Sequence, residues 1–373
     1  MTEELKTELM TLNMGPQHPS THGVIRFIIQ TDGEIIHACD PDIGYLHRSI
    51  EKIAESVSWH GFVPYTDRVD YTCAMNANWA YCHAVEKMIG TEVPERAEYI
   101  RVIVGELNRI SSHLIAIGTA NMDMGAFTPF IHLLREREYI NDLLELVCGA
   151  RLTYNYITIG GVSNDLPPNF KERTLEFLKH FELAMEQVNR LISYNQIFIN
   201  RFANLAVVSQ EMAIDYNLVG PNLRGSGLAF DLRRDEPYSI YPKLEFDIPI
   251  GTGSEGTLGD CYDRYFVRVK EIRESVKIIR QCLQQIPEGE IAAKVKKVIK
   301  PPQGHIHVRT ETPRGDTGYF IYSDGNSSPY RLNIRTGSFT ATSIIPELAK
   351  GIFIADLVAV IGSLDIVAPE LDR

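Results

Sequence analysis

Between Pro94 and Gly118 the apolar residues Ile100, Ile103, Leu107, Ile110, Leu114 and Ile117 recur at steps of three and four. That spacing puts them on one face of an α-helix. Pro94 pre-sets the entry angle, Glu95 and Glu98 lie where the helix dipole favours acids, and Gly118 is the expected stop. A further helix is expected from about Phe130 to Leu146, and another from Cys261 to Gln285. After Pro167-Pro168 a second stripe follows: Leu175, Leu178, Phe181, Met185, Val188 and Ile192. Stripes this broad have to be covered, and they imply a helical bundle.

Strand signals lie near the two ends. Val24–Gln30 and Glu34–Cys39 flank Asp32-Gly33 and read as a β-hairpin with a tight turn. His305–Arg309 and Gly318–Tyr322 read as two short paired strands, with His305 and His307 as structural residues on one face. From about Val219 to Gly259 glycine and proline are dense, which predicts long loops. Ile344–Ile361 is apolar but interrupted by Glu347, Lys350 and Asp356, so it suits a core helix better than a membrane span. The fold class expected is α+β, mainly α, with small sheets near the N- and C-termini. Its parts are a loop and hairpin region over 1–45, a helical bundle over 46–218, and a loop-rich segment, helix, small sheet and C-terminal core helix over 219–373, all in one integrated fold.

With 373 residues, 44% of them hydrophobic, the chain can build a large core. The net charge of −11 and the lack of a basic patch exclude nucleic acid as a partner. Met1–Glu8 has neither a positive nor an apolar region, so no secretory signal is expected. The cysteines at 39, 73, 82, 148, 261 and 282 form no C-x-x-C pair, which suggests reduced, buried thiols in a cytosolic setting.

Residues 14 to 23 hold two glycines, two prolines and the histidines His18 and His22. Proline and glycine at this density exclude a helix or an interior strand, so a shaped loop is expected. Imidazoles held on such a loop are candidates for proton chemistry near neutrality.

Several motifs then occur in a fixed order. They are Met14-Gly-Pro-Gln-His-Pro-Ser-Thr-His-Gly23, Gly44-Tyr-Leu-His-Arg48, Asp67-Arg-Val-Asp-Tyr71, Glu106-Leu-Asn-Arg109 with Ser112-His-Leu114, and Asp123-Met-Gly-Ala126. Arg135-Glu-Arg-Glu138, Ser323-Asp-Gly325, Pro329-Tyr-Arg331, Gly362-Ser-Leu-Asp-Ile366 and Asp372-Arg373 continue the series. Together they resemble the D subunits of the proton-pumping NADH:quinone oxidoreductase, respiratory complex I, a family related to the large subunit of nickel–iron hydrogenases. The resemblance covers almost the whole chain and implies a hydrogenase-large-subunit-like bundle. Hydrogenases hold their metal with two C-x-x-C pairs. The matching positions here are Asp70 and Cys73, then Val367 and Glu370. One thiol of four cannot build a soft thiolate site, so no metal is expected on this chain.

The resemblance implies that the emptied cavity accepts a quinone headgroup. Tyr71 and His22 would hydrogen-bond its carbonyls and protonate it, with Asp123 orienting the histidine and His18 as a loop former or a donor further out on the quinone side. Arg48 and Thr153 match positions near a tetranuclear iron–sulfur cluster of the adjacent B subunit. No cofactor is expected on the chain itself, with quinone as substrate. Implied partners are the B, C and I subunits of the peripheral arm and the H subunit of the membrane arm, with membrane contact through them, at the cytoplasmic side of the bacterial inner membrane. The absence of a fused C-type domain fits a stand-alone bacterial subunit. Glu106, Arg109, His113, Arg135, Glu136 and Arg137 are expected in ion pairs or subunit contacts.

Three departures stand out. Ser49 follows Arg48 where the family usually has glycine, Thr153 stands where many members carry a histidine, and Thr158 replaces a common arginine. Fewer positive or titratable groups there imply a lower-potential cluster, suited to a quinone such as menaquinone. The rival readings are a working hydrogenase, which the missing cysteines oppose, a docking scaffold without chemistry, and the same complex I component fed by ferredoxin or a deazaflavin.

Overall fold

The computed structural model describes residues 8–16 and 23–373. Five long helices, Ala74–Ile89, Glu95–Asp123, Phe127–Cys148, Phe170–Leu191 and Cys261–Gln285, carry most of the core. Glu95–Asp123 is the central one, with Phe127–Cys148 and Cys261–Gln285 packed along it. Its burial extends beyond the apolar stripe and encloses Arg101, Glu106, Asn108, Arg109, Ser112 and His113. Gly118 does not stop this helix, which runs on to Asp123. It serves packing instead. A Cβ at 118 would lie 3.0 Å from the Phe130 ring and 3.5 Å from Leu133, so glycine lets the next helix approach closely.

In Phe170–Leu191 the inward face is Phe170, Thr174, Phe177, Leu178, Phe181, Met185 and Val188. Leu175, expected inside, is 38% exposed, because roughly 100° per residue carries it off that face.

Near the N-terminus three antiparallel strands, β1 (Met10–Met14), β2 (Arg26–Asp32) and β3 (Ile35–Asp42), form one sheet. Asp32 pairs with Ile35, so the turn is Gly33-Glu34, one residue later than expected. Gly33 supplies the positive φ of 60° that this turn needs. The apolar segment 344–361 is two helices, Ile345–Leu348 and Ile354–Leu364. Gly351, at φ 76°, breaks them apart, and the chain there runs beside β3. Gly351 N donates to Ile36 O at 2.7 Å, and Ile36 N to Ile352 O at 2.9 Å.

A two-residue pair, β4 (Ile157–Thr158) and β5 (Gly161–Val162), lies mid-chain. The last sheet is antiparallel: β6 (Gly304–Thr312), β7 (Gly315–Ser323) and β8 (Arg331–Arg335). Both β6 and β7 pack on helix Ala74–Ile89. These strands are longer than the sequence suggested, and Thr312 pairs with Gly315 to leave Pro313-Arg314 as the hairpin tip.

The segment 219–259 is not plain loop. Short helices Gly220–Gly225 and Leu232–Asp235 and the turn Tyr241–Lys243 carry Arg224, Arg233 and Tyr241 into the core. Charges this deep persist because they are paired. Arg224 reaches Glu271 at 2.5 Å and Glu311 at 2.9 Å, while Arg233 reaches Asp231 at 2.7 Å and Glu106 at 3.2 Å. Glu106 also pairs with Arg109, and Glu271 with His113. Arg135 is half-exposed and pairs with buried Glu136. All six cysteines are free, five of them buried. Among the described residues no helix is long and apolar enough to cross a membrane.

Candidate functional site

Asp70 sits just before the short 3-10 turn Tyr71–Cys73 and caps it, its Oδ1 accepting from Thr72 N at 3.1 Å and Thr72 Oγ1 at 2.7 Å. The other oxygen accepts from the Cys73 thiol at 2.7 Å and from Arg314 Nη1 at 2.5 Å. Arg314 arrives from the β6–β7 tip. Its Nη1 also donates to Ser112 Oγ of the central helix at 3.2 Å, and its Nη2 to Asp365 Oδ1 at 3.4 Å. Its Nε stands 3.8 Å from Glu370 Oε2 and makes no hydrogen bond. Asp365 closes helix Ile354–Leu364 in the left-handed conformation, and Glu370 lies on the last helix, Ala368–Asp372. Ser338 hydrogen-bonds both Val367 N and the Glu370 carboxyl.

Of the positions matched to the hydrogenase cysteines, 70, 73 and 370 thus lie around one guanidinium, while Val367 is tied to Glu370 through Ser338. A fixed cation fills the space between the carboxylates. Among the described residues no three His, Cys, Asp or Glu side chains come together to hold a metal ion. Burial, then the charge of Asp70, pushes the Cys73 thiol well above its ordinary range, so it stays protonated. The same two causes, in that order, push Glu370 up to about 8.

Tyr71 stands at the edge of this group, 38% exposed while its neighbours are enclosed. Partial burial raises its phenol first, Asp70 and Asp365 add to that, and Arg314 and Arg137 oppose it. The phenol therefore keeps its proton at neutral pH and can donate. Asp123 ends the central helix and lines a surface cavity of about 570 Å³ with Met122, Phe127, Ile197 and Arg201. Eleven residues of helix, roughly 16 Å, separate it from Ser112 at the Arg314 group. His18 and His22 lie outside the described residues. The chain re-enters at Gly23, where a Cβ would meet Ala368 Cβ at 2.8 Å, so the end of that motif packs on the helix that bears Glu370.

Arg48 is exposed and donates from Nη2 to Arg68 O at 2.5 Å. Ser49 and Thr153 both adopt positive φ, 55° and 50°. Beside Arg68 lies Asp67, fully buried, with the Arg68 Nη1 3.5 Å away and Asn78 and the Asn155 backbone as its polar neighbours. Its burial pushes it up to about 7. The sequence singled out Tyr71 and Asp70 but gave no role to Arg314, Asp365 or Asp67. The two acids of Asp67-Arg-Val-Asp-Tyr71 were the available signal for Asp67, while a Pro-Arg-Gly tip gives no hint of a buried arginine.

The family described as the respiratory-chain NADH dehydrogenase 49 Kd subunit matches this chain over residues 123–303 and 293–373. The chain belongs to this family. One of the NADH-quinone oxidoreductase D subunits, from Anaeromyxobacter sp. (strain K), is 57% identical over 368 residues, covering 99% of this chain and 97% of that protein. The D subunit of the Bacillus cereus enzyme is 52% identical over 369 residues, covering 99% and 100%. That of Chlorobaculum tepidum is 49% identical over 375 residues, covering 100% and 94%. The α+β fold, mainly helical with small terminal sheets, is the one expected of this family.

Proposed function

We propose that this chain is the component of a membrane-bound NADH-quinone oxidoreductase that forms the quinone-reduction chamber with the B subunit. The relatives' names supply the enzyme, and the donor-competent phenol of Tyr71 on the Arg314 group carries the site. Quinone takes two electrons and two protons to become quinol. Electrons come from the tetranuclear cluster of the B subunit. Tyr71 and His22 hydrogen-bond the two carbonyls and deliver protons, His18 lines the same loop, and Asp123 favours the charged imidazole. Arg48 and Thr153 face the cluster side. Contacts with the B, C, I and H subunits hold the chain as a peripheral component on the cytoplasmic face, and loop movement couples reduction to proton translocation.

The test is quinone-reductase turnover of the assembled complex carrying Tyr71→Phe or His22→Ala, with the iron–sulfur signals recorded alongside. Removing a proton donor is expected to lower turnover about 10²-fold or more with clusters intact. Unchanged turnover would leave a docking scaffold as the better reading.

A further inference from the structure

We propose that Arg314 is a positioning residue of the quinone site, fixing the place of the Tyr71 phenol through Asp70, an inference that rests on the role of Tyr71 proposed above. Among the described residues the Tyr71 hydroxyl has no hydrogen-bond partner, and the residue is 38% exposed. Within them its place is therefore set by the backbone of the 3-10 turn Tyr71–Cys73 and not by a contact at the tip of the ring.

Asp70 governs the end of that turn at which Tyr71 stands. Its Oδ1 caps the turn by accepting from Thr72 N at 3.1 Å and Thr72 Oγ1 at 2.7 Å. Its Oδ2 accepts from the Cys73 thiol at 2.7 Å and from Arg314 Nη1 at 2.5 Å. Thr72 and Cys73 belong to the turn itself, so Arg314 is the contact that ties the carboxylate to the rest of the fold. The far end of the turn is held separately, by Asn108 of the central helix. Asn108 accepts from Met75 N at 2.9 Å and donates to Thr72 O at 3.3 Å.

No other cation takes this part. Among the described residues Arg314 is the only cationic side chain within 4.0 Å of an Asp70 oxygen. Arg268 approaches Asp365 at 3.8 Å and donates to Ser363 O at 2.7 Å. Arg264 is taken up by Ser363, Ala206 and Gly259, and His113 turns to Glu271. Arg314 also has a fixed base, since the hairpin tip packs backbone to backbone on Gly220 and Gly337. Its Nη1 reaches Ser112 Oγ at 3.2 Å, its Nη2 reaches Asp365 at 3.4 Å, and Glu370 lies 3.8 Å from its Nε. A planar guanidinium held at several points fixes a carboxylate in direction as well as distance. Asp70 passes that constraint to the next residue, Tyr71. Misplacing a reacting group by about 1 Å can cost about 10²-fold in rate, so such a constraint matters to the chemistry.

The experiment measures kcat/KM of the assembled complex for a short-chain quinone, with iron–sulfur signals recorded to confirm assembly. The variants are Arg314→Gln and Arg314→Lys, each alone and combined with Tyr71→Phe. Arg314→Gln alone should lower kcat/KM about tenfold or more. On top of Tyr71→Phe it should lower the residual rate less than about twofold, because the group it positions is already gone. Arg314→Lys returns a cation to Asp70 and should recover most of the loss. Where Arg314→Gln does not assemble, Asp70→Asn breaks the same ion pair and leaves Arg314 on Asp365, and it should show the same loss and the same dependence on Tyr71. An equal fold-loss with and without the Tyr71 hydroxyl, a lysine variant no better than the glutamine one, or full turnover in Arg314→Gln would overturn the proposal. Full turnover in Tyr71→Phe would instead remove the quinone reading on which it rests.

Discussion

Ser49 holds φ at 55° where the chain turns from Arg48 into helix Ile50–Ala54. A residue with a Cβ pays about 1 kcal/mol for that conformation, and glycine almost none. The resemblance already marked this place as one where related chains carry glycine, and the backbone gives the reason. Ser49→Gly should therefore stabilise the purified chain by up to about 1 kcal/mol, less the extra freedom glycine gains when unfolded. A urea titration checks it, and a lower midpoint would show that the serine hydroxyl matters more than the backbone. Thr153 shares the positive φ, at 50°, so its threonine is also a strained occupant.

Among elements, the β6–β7 hairpin does the most to build the site, because its tip places Arg314. The tip is held backbone to backbone. A Cβ on Gly315 would lie 2.4 Å from Gly220 N, and one on Gly337 would lie 2.3 Å from Arg314 O. Neither neighbour is a movable side-chain end, so Gly315→Ala has to shift the hairpin. The expected cost is about 3 kcal/mol or more, with lost quinone turnover even where the complex still assembles. Assembly measured by iron–sulfur signals, against turnover, decides it, and wild-type turnover would mean that Arg314 is not held this way. The same hairpin shows what a sequence can disclose. Period-2 patterning located its strands, and 3.6-residue periodicity located the central helix and Phe170–Leu191, because burial of a face leaves a local repeat. Arg314 left no such trace. Its burial is decided by Gly220 and Gly337, and its partners Asp70, Asp365 and Glu370 are remote in sequence. The stop assigned to Gly118 failed for a related reason, since that glycine answers to Phe130 on another helix.

Over the whole molecule, buried titratable groups fix how stability depends on pH. Burial raises Asp67 to about 7 and Glu370 to about 8, from ordinary values of 3.8 for aspartate and 4.5 for glutamate. Above those ordinary values the unfolded chain releases protons that the folded chain keeps, so stability falls as pH rises, until about 7 to 8. His83 acts in the opposite sense. Burial lowers it from 6.5 to about 3, so between those values the unfolded chain binds a proton that the folded chain refuses, and stability rises with pH. His113 is lowered by burial too. Below 6.5 the two tendencies oppose each other. Above it the histidines fall silent and the carboxyls act alone, each contributing at most about 1.4 kcal/mol per pH unit. The urea midpoint of the purified chain should therefore change little on approaching pH 6.5 and drop steeply from there to about pH 8. Asp67→Asn removes a proton-binding group while keeping a side-chain oxygen that can still accept from Asn78 and the Asn155 backbone. It should flatten part of that drop and leave the variant more stable than the unmutated chain above about pH 7. An unmutated chain equally stable at pH 6.5 and 8 would mean that these two carboxyls are ionised in the fold after all, with solvent or partners reaching them.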